Sequence, residues 1–167
     1  NRQPFNTSPY LPNSVYYRNP IYLDVERVGD FRFSRRAQQM LAEPEVQAEI
    51  AALRASEFVE YERVYALKLR CLRHCFDTFR RRSALGGEGG RQFEEYCRGE
   101  GALLERYAVY CALDEWLHEQ NPHLWTWRDW PAEYREPDSP AVRRFAAAQP
   151  RRVLFHKYLQ WQMDLQL

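Results

Sequence analysis

The chain has no surplus of either charge. Its 167 residues carry 24 Lys and Arg against 23 Asp and Glu, a formal net charge of +1. A chain so balanced has no domain-wide basic field to hold a polyanion, which argues against nucleic acid as a partner. The Arg80-Arg81-Arg82 triplet is expected at a solvated helix C-terminus, where positive charge suits the dipole. Long apolar runs are also missing. None approaches the ~20 residues needed to cross a bilayer, so no membrane span is expected. No secretory leader pattern is visible, and the start at Asn1-Arg2-Gln3 has no initiator Met, which reads as a cut within a longer protein. The four cysteines, Cys71, Cys75, Cys97 and Cys111, are too few for a disulfide scaffold, and a reducing cytoplasm is the expected setting.

Glycine is scarce too, and four of the seven fall between Gly86 and Gly90. That stretch is expected to break the chain as a mobile loop. It lacks the Lys-Ser or Lys-Thr of a phosphate loop, and no strand precedes it.

Aromatics, by contrast, are abundant at 15 %, with 11 Tyr and 5 Trp. Flat rings either fill a helical core or stack on the C–H faces of sugars, and composition leaves both open. Pro4, Pro9, Pro12 and Pro20 keep the start extended, and the alternation Ile21, Leu23, Val25 predicts a short strand. Helices follow. Ser34 caps one running to about Ala42, and Pro44 opens the next with Val46, Ile50 and Leu53 on one face. Tyr61, Tyr65, Leu69, Leu72, Phe76 and Phe79 form one continuous apolar stripe of a long helix. A further helix spans about Arg91 to His118, interrupted near Gly99 and Gly101, with Leu103, Tyr107, Tyr110 and Leu117 on its inner face. Leu124 to Pro137 is irregular. Asp138-Ser139-Pro140 starts another helix, and the last begins at Pro150 with Leu154, Tyr158, Trp161 and Leu165 inward. The predicted class is mainly α.

Several segments in order carry a resemblance. They are Ser8-Pro9-Tyr10, Asn19-Pro20-Ile21-Tyr22-Leu23-Asp24, Val59 to Lys68, Leu104 to Leu113, Trp127 to Tyr134, and Phe155 to Trp161. Together they resemble glycoside hydrolase family 77, the 4-alpha-glucanotransferases (amylomaltase, disproportionating enzyme). Arg32 to Gln39 and Asp138 to Arg143 look most like its longer bacterial members. The resemblance implies a (β/α)8 TIM-barrel enzyme with large insertions, of which this chain is a helical insertion subdomain with an extended N-terminal segment. Residues 1–33 are then a loop and short strand beside the active-site groove, residues 34–167 the helical subdomain, and the catalytic barrel lies outside the chain. It implies transfer of α-1,4-glucan segments by a retaining mechanism, without a cofactor. The nucleophile, the acid/base and the stabilising carboxylate map to no residue here, so the chain alone is expected to be inactive. The partners implied are malto-oligosaccharide and the rest of the barrel.

By the same resemblance Tyr10 faces the sugar at the scissile bond. Its phenol offers a flat face and one hydroxyl, and Pro9 stiffens the loop. Ser8 bonds a sugar hydroxyl or only caps the turn. Tyr65 matches an accessory glucan contact, although its place on the apolar stripe also suits core packing.

Other constellations point elsewhere. Cys71, His74 and Cys75 stand within about one helical turn, but no second pair completes a metal set, so buried thiols are expected. No activating context marks a Cys–His catalytic pair. Trp125, Trp127 and Trp130 either form a sugar platform or pin the irregular segment to a core. His118, His123 and His156 lack a partner pattern. The alternative to the enzyme reading is a stand-alone helical module that binds a protein partner through its aromatic patches.

Overall fold

In the computed structural model, described for residues 16–166, six α-helices and three short 3-10 turns make up the regular structure. The helices are α1 (Arg35–Ala42), α2 (Pro44–Ala55), α3 (Tyr61–Ala84), α4 (Glu88–Gln120), α5 (Pro140–Ala148) and α6 (Pro150–Leu165). The expected strand at 21–25 does not form, and no strand occurs among the described residues. Pro20–Tyr22 is a 3-10 turn instead. Asn19 accepts from the Ile21 N–H, and Pro20 sits at the first helical position, where its missing N–H costs nothing.

The caps follow the sequence closely. Ser34 accepts from Ala37 N at the start of α1, and Ser139 accepts from Val142 N at the start of α5. Each satisfies an N–H that the first turn leaves without a helical partner. The glycine cluster is not a long loop. Gly86 has φ +78°, Gly86 N bonds to Ser83 O and Gly87 N to Arg82 O. That pair of bonds closes α3 in a Schellman turn, and α4 starts at Glu88 with Gly89 and Gly90 already helical. Neighbouring backbone bonds overrode the poor propensity of glycine. Gly101, at φ +59° and ψ −140°, interrupts α4 as expected.

Two compact units are present. One holds residues 18–94 with 162–166. Here α3 packs against α1 and against the 20–22 turn, and α2 packs on α1. Leu69, Leu72, Phe76 and Phe79 of the stripe are buried, Tyr65 is half-buried, and Tyr61 reaches solvent. Val46 is the buried residue of α2, with Ile50 and Leu53 only partly covered.

The other unit holds residues 16–17 with 95–161. Its core joins Ala108, Val109, Ala112, Leu113 and Leu117 of α4 to Trp130, Val142, Phe145 and Val153. The inner face of α4 therefore differs from the one predicted. Leu103 and Tyr110 are exposed, while Leu104, Ala108 and Ala112 are buried. The small alanines let neighbours approach the backbone, a role that side-chain size does not announce. Helix α6 departs further from its stripe. Residues 158–163 are all buried, whereas Leu165 is 59 % exposed. Where six consecutive residues are buried, there is no single apolar face to read.

Candidate functional site

Ser8 and Tyr10 lie outside the described residues. From Asn19 to Phe33 the chain is fixed by polar contacts to its backbone and to Asp30. Lys68 of α3 donates from Nζ to the carbonyls of Ile21 at 2.6 Å and Leu23 at 2.9 Å. Burial holds the Lys68 ammonium below its ordinary value, with the charge of Asp24 opposing that shift. Asp24 is fixed in turn by the Gln166 amide. Its N–H donates to Gln166 Oε1 at 3.0 Å, and Gln166 Nε2 donates back to the Asp24 carbonyl at 2.9 Å. A few residues on, Asp30 is buried and accepts from Arg82 Nη1 at 2.8 Å. The Arg82 guanidinium lies 3.8 Å over the Phe33 ring. The segment 19–33 is thereby held on a definite path by three side chains from distant parts of the sequence.

Tyr65 stands three residues before Lys68, one turn along the same side of α3. It is half-buried, between the two roles the sequence left open. The sequence reading missed Lys68 and Gln166 as anchors. A lysine that looks like any helical surface lysine gives no signal that carbonyls wait above it.

A second polar cluster joins α4 to α6. Glu115 and His156 are buried, and His156 Nε2 lies 3.6 Å from Glu115 Oε2. Arg152 donates to Glu119 at 3.0 and 2.7 Å and reaches Glu115 at 3.4 Å. Glu115 and Glu119 stand four apart on one helix, as do Arg152 and His156 on the other. That matched spacing was the available signal for the cluster. Arg152 of α6 is shared between two carboxylates of α4, so the cluster ties the two helices together. Nearby, Tyr17 packs its ring 4.5 Å from Tyr107 and donates to Glu100 at 3.0 Å. Burial, then the Glu100 contact, raises the Tyr17 phenol well above its ordinary value. Gln160 donates to the Tyr107 hydroxyl at 3.2 Å.

Cys71 and Cys75 are buried as expected. The hydrogen bond between them lowers the Cys71 thiol and raises that of Cys75, which burial raises further. Cys111 is pushed up to about 12, chiefly by burial. Among the described residues no group of three His, Cys, Asp or Glu side chains could hold a metal ion. No helix among them is long and apolar enough to cross a membrane. The three tryptophans divide: Trp130 is buried, while Trp125 and Trp127 stay partly in water.

Comparison with known proteins places the chain in a family. The family model described as 4-alpha-glucanotransferase matches residues 1–167. A 4-alpha-glucanotransferase of Haemophilus influenzae is 29% identical over 164 residues, covering 96% of this chain and 24% of that protein. One from Mycobacterium tuberculosis is 29% identical over 168 aligned residues, covering 99% of this chain and 21% of the relative. One from Synechocystis is 27% identical over 157 residues, covering 94% of this chain and 28% of the relative. The chain thus spans about a quarter of the length of the curated relatives it matches.

Proposed function

The chain belongs to the 4-alpha-glucanotransferase family, glycoside hydrolase family 77, over its whole length, and from that premise we propose that it is the helical, groove-walling part of an enzyme that transfers α-1,4-glucan segments between malto-oligosaccharides. The family match across residues 1–167 is the observation that carries this reading. In it, residues 1–33 lie beside the active-site groove and residues 34–167 form an insertion in a (β/α)8 barrel. Such barrels work at their strand C-termini, where insertions can wall the substrate groove. The setting is the cytoplasm.

The reaction proceeds with retention. One carboxylate attacks the anomeric carbon to form a glycosyl-enzyme, while the other protonates the leaving oxygen and then takes the proton of the acceptor hydroxyl. Two such groups stand ~5–5.5 Å apart. Both lie outside this chain, which leaves it binding and positioning work. Tyr10 stacks on the sugar at the cut, Ser8 bonds a hydroxyl beside it, and Tyr65 supports glucan further along. The anchoring of Ile21 and Leu23 by Lys68 supports this assignment, because it fixes the path of the chain that follows Tyr10 in sequence. A held acceptor sugar outcompetes water for the glycosyl-enzyme only if the groove grips glucan on both sides of the cut.

Maltotriose separates the claims. The complete polypeptide that carries this chain converts it to glucose and longer oligosaccharides, and the 167-residue chain alone does not. Products from the chain alone would overturn its inactivity. In the complete polypeptide, Tyr10→Ala lowers kcat/KM on maltotriose about tenfold, the cost of one lost aromatic stacking contact at ~1.4 kcal/mol. An unchanged value removes Tyr10 from the groove.

A further inference from the structure

The stretch between α4 and α5 treats its three tryptophans in two ways. Trp130 is 3 % exposed, its ring is 5.2 Å from Tyr110, and its carbonyl accepts from Arg135 Nε at 2.7 Å. Trp127 is 47 % exposed and Trp125 36 %. A loose loop would account for such exposure, but this segment is closely bonded. Asp129 N donates to Thr126 O at 2.9 Å and closes a four-residue turn. The backbone N–H and the hydroxyl of Thr126 both donate to Asp129 Oδ2, at 2.9 and 3.0 Å, and Arg128 N donates to Thr126 Oγ1 at 3.3 Å. Trp127 and Arg128 occupy the two central positions of that turn. On one flank the His118 ring packs 5.1 Å from Trp125, and its Nδ1 lies 3.3 Å from the Leu124 carbonyl.

Ordering a turn costs ~1–2 kcal/mol of backbone entropy per residue. Here the result is two large apolar rings held partly in water, which core packing does not require. We propose that Trp127 and Trp125, with the Arg128 guanidinium, form a second α-glucan-binding platform, used by long chains in addition to the residues named above. This rests on the glucan-transfer reading, which supplies the occupant. An indole presents a rigid flat face to the C–H face of a glucose ring. The Arg128 guanidinium lies over the Trp127 ring, 5.5 Å from its centroid, and brings several N–H donors within reach of hydroxyls on a sugar bound at the indole. Indoles two residues apart, one in the turn and one just before it, suit a polymer that repeats its faces better than a single sugar. The adjacent charges of Arg128 and Asp129 are opposite, so the patch favours a neutral ligand over a polyanion.

The test uses the complete polypeptide, with maltotriose and long amylose as alternative substrates. Trp127→Ala is expected to raise KM for amylose about three- to tenfold, the range of one aromatic stacking contact. Transfer on maltotriose stays unchanged, and Trp127→Phe restores most of the amylose KM. Equal effects on both substrates, or none, overturn the platform. A fall in thermal midpoint without dependence on chain length also overturns it, because the indole then packs against the remainder of the polypeptide. So does a change in oligomeric state with amylose KM unaltered, since a second copy then covers the patch. Absence of transfer by the wild type on either substrate sinks the glucan reading and the platform with it. Intact maltotriose transfer with an unaltered amylose KM sinks the platform alone.

Discussion

Two irregular segments, 18–34 and 121–139, are each ordered without regular helix, and they are ordered by different physics. The first is held by polar side chains acting on backbone and charge: Lys68 on two carbonyls, Gln166 on Asp24, and Arg82 on Asp30. Ser34 adds a hydroxyl donated to the His74 carbonyl at 3.1 Å. The second is held chiefly by rings. Trp130 lies on Tyr110, and Trp116 meets Tyr134 and Phe145 at 5.9 and 5.2 Å. Polar anchors fix a path using little apolar area, and each acts at one point. Ring anchors work through area, so one ring supports many neighbours at once.

The largest expected effect therefore falls on the second segment. Trp130→Ala removes a buried indole from the core shared with Leu117, Val142 and Phe145. A cavity of that kind costs ~3–5 kcal/mol. Amide exchange in the complete polypeptide should quicken across α5 and the end of α4 together, since they share the core. Faster exchange confined to the amides of 126–130 would show that the ring anchors only its own turn, and the contrast between the segments would fail.

Lys68→Met comes next. It leaves the carbonyls of Ile21 and Leu23 without their donor, and Leu23 is fully buried. Hydrogen bonds from a charged donor are worth ~1.5–3 kcal/mol. Exchange at the Leu23 and Asp24 amides should quicken by roughly tenfold to a hundredfold, while Val28 and Phe31 stay protected by their own turn bonds. Loss of protection across the whole of 18–34 would mean that the polar anchors act as one unit, as the rings do.

What could be read in advance divides along the same line. Ser34 and Ser139 announced their caps because the cap chemistry is local. The α3 stripe was legible from Leu69 to Phe79 because that helix has one buried side. The strand expected at 21–25 was misread because alternation of Ile21, Leu23 and Val25 signals a sheet only where a neighbouring strand takes the carbonyls. Here Lys68, more than forty residues away, takes two of them. Likewise the inner face of α4 was misjudged through Ala108 and Ala112, whose small size permits close approach but carries no hydropathy signal. For the candidate site, the order of motifs pointed to the family that the whole-chain match shows. The three tryptophans were visible as a group, but which of them would be buried depended on Tyr110, which the sequence had placed inside.

The smallest effect, a pH dependence at Lys68, asks which force dominates the polar anchor. Burial lowers the folded-state ammonium below its ordinary 10.5, against the pull of Asp24. Between the folded value and 10.5 the unfolded chain then binds more protons than the folded one, so this group makes stability rise with pH across that window. Below the window both states are charged and the contribution is constant. The urea midpoint of the complete polypeptide, wild type minus Lys68→Met, should therefore climb as the pH approaches 10.5 from below. The climb is modest because the amine is only partly removed from water, which screens its charge. A fall over the same range would mean that the two carbonyls favour the ammonium by more than burial disfavours it. The segment would then be held mainly by the charge of Lys68, and raising the pH would loosen it in the way that removing Trp130 loosens the other.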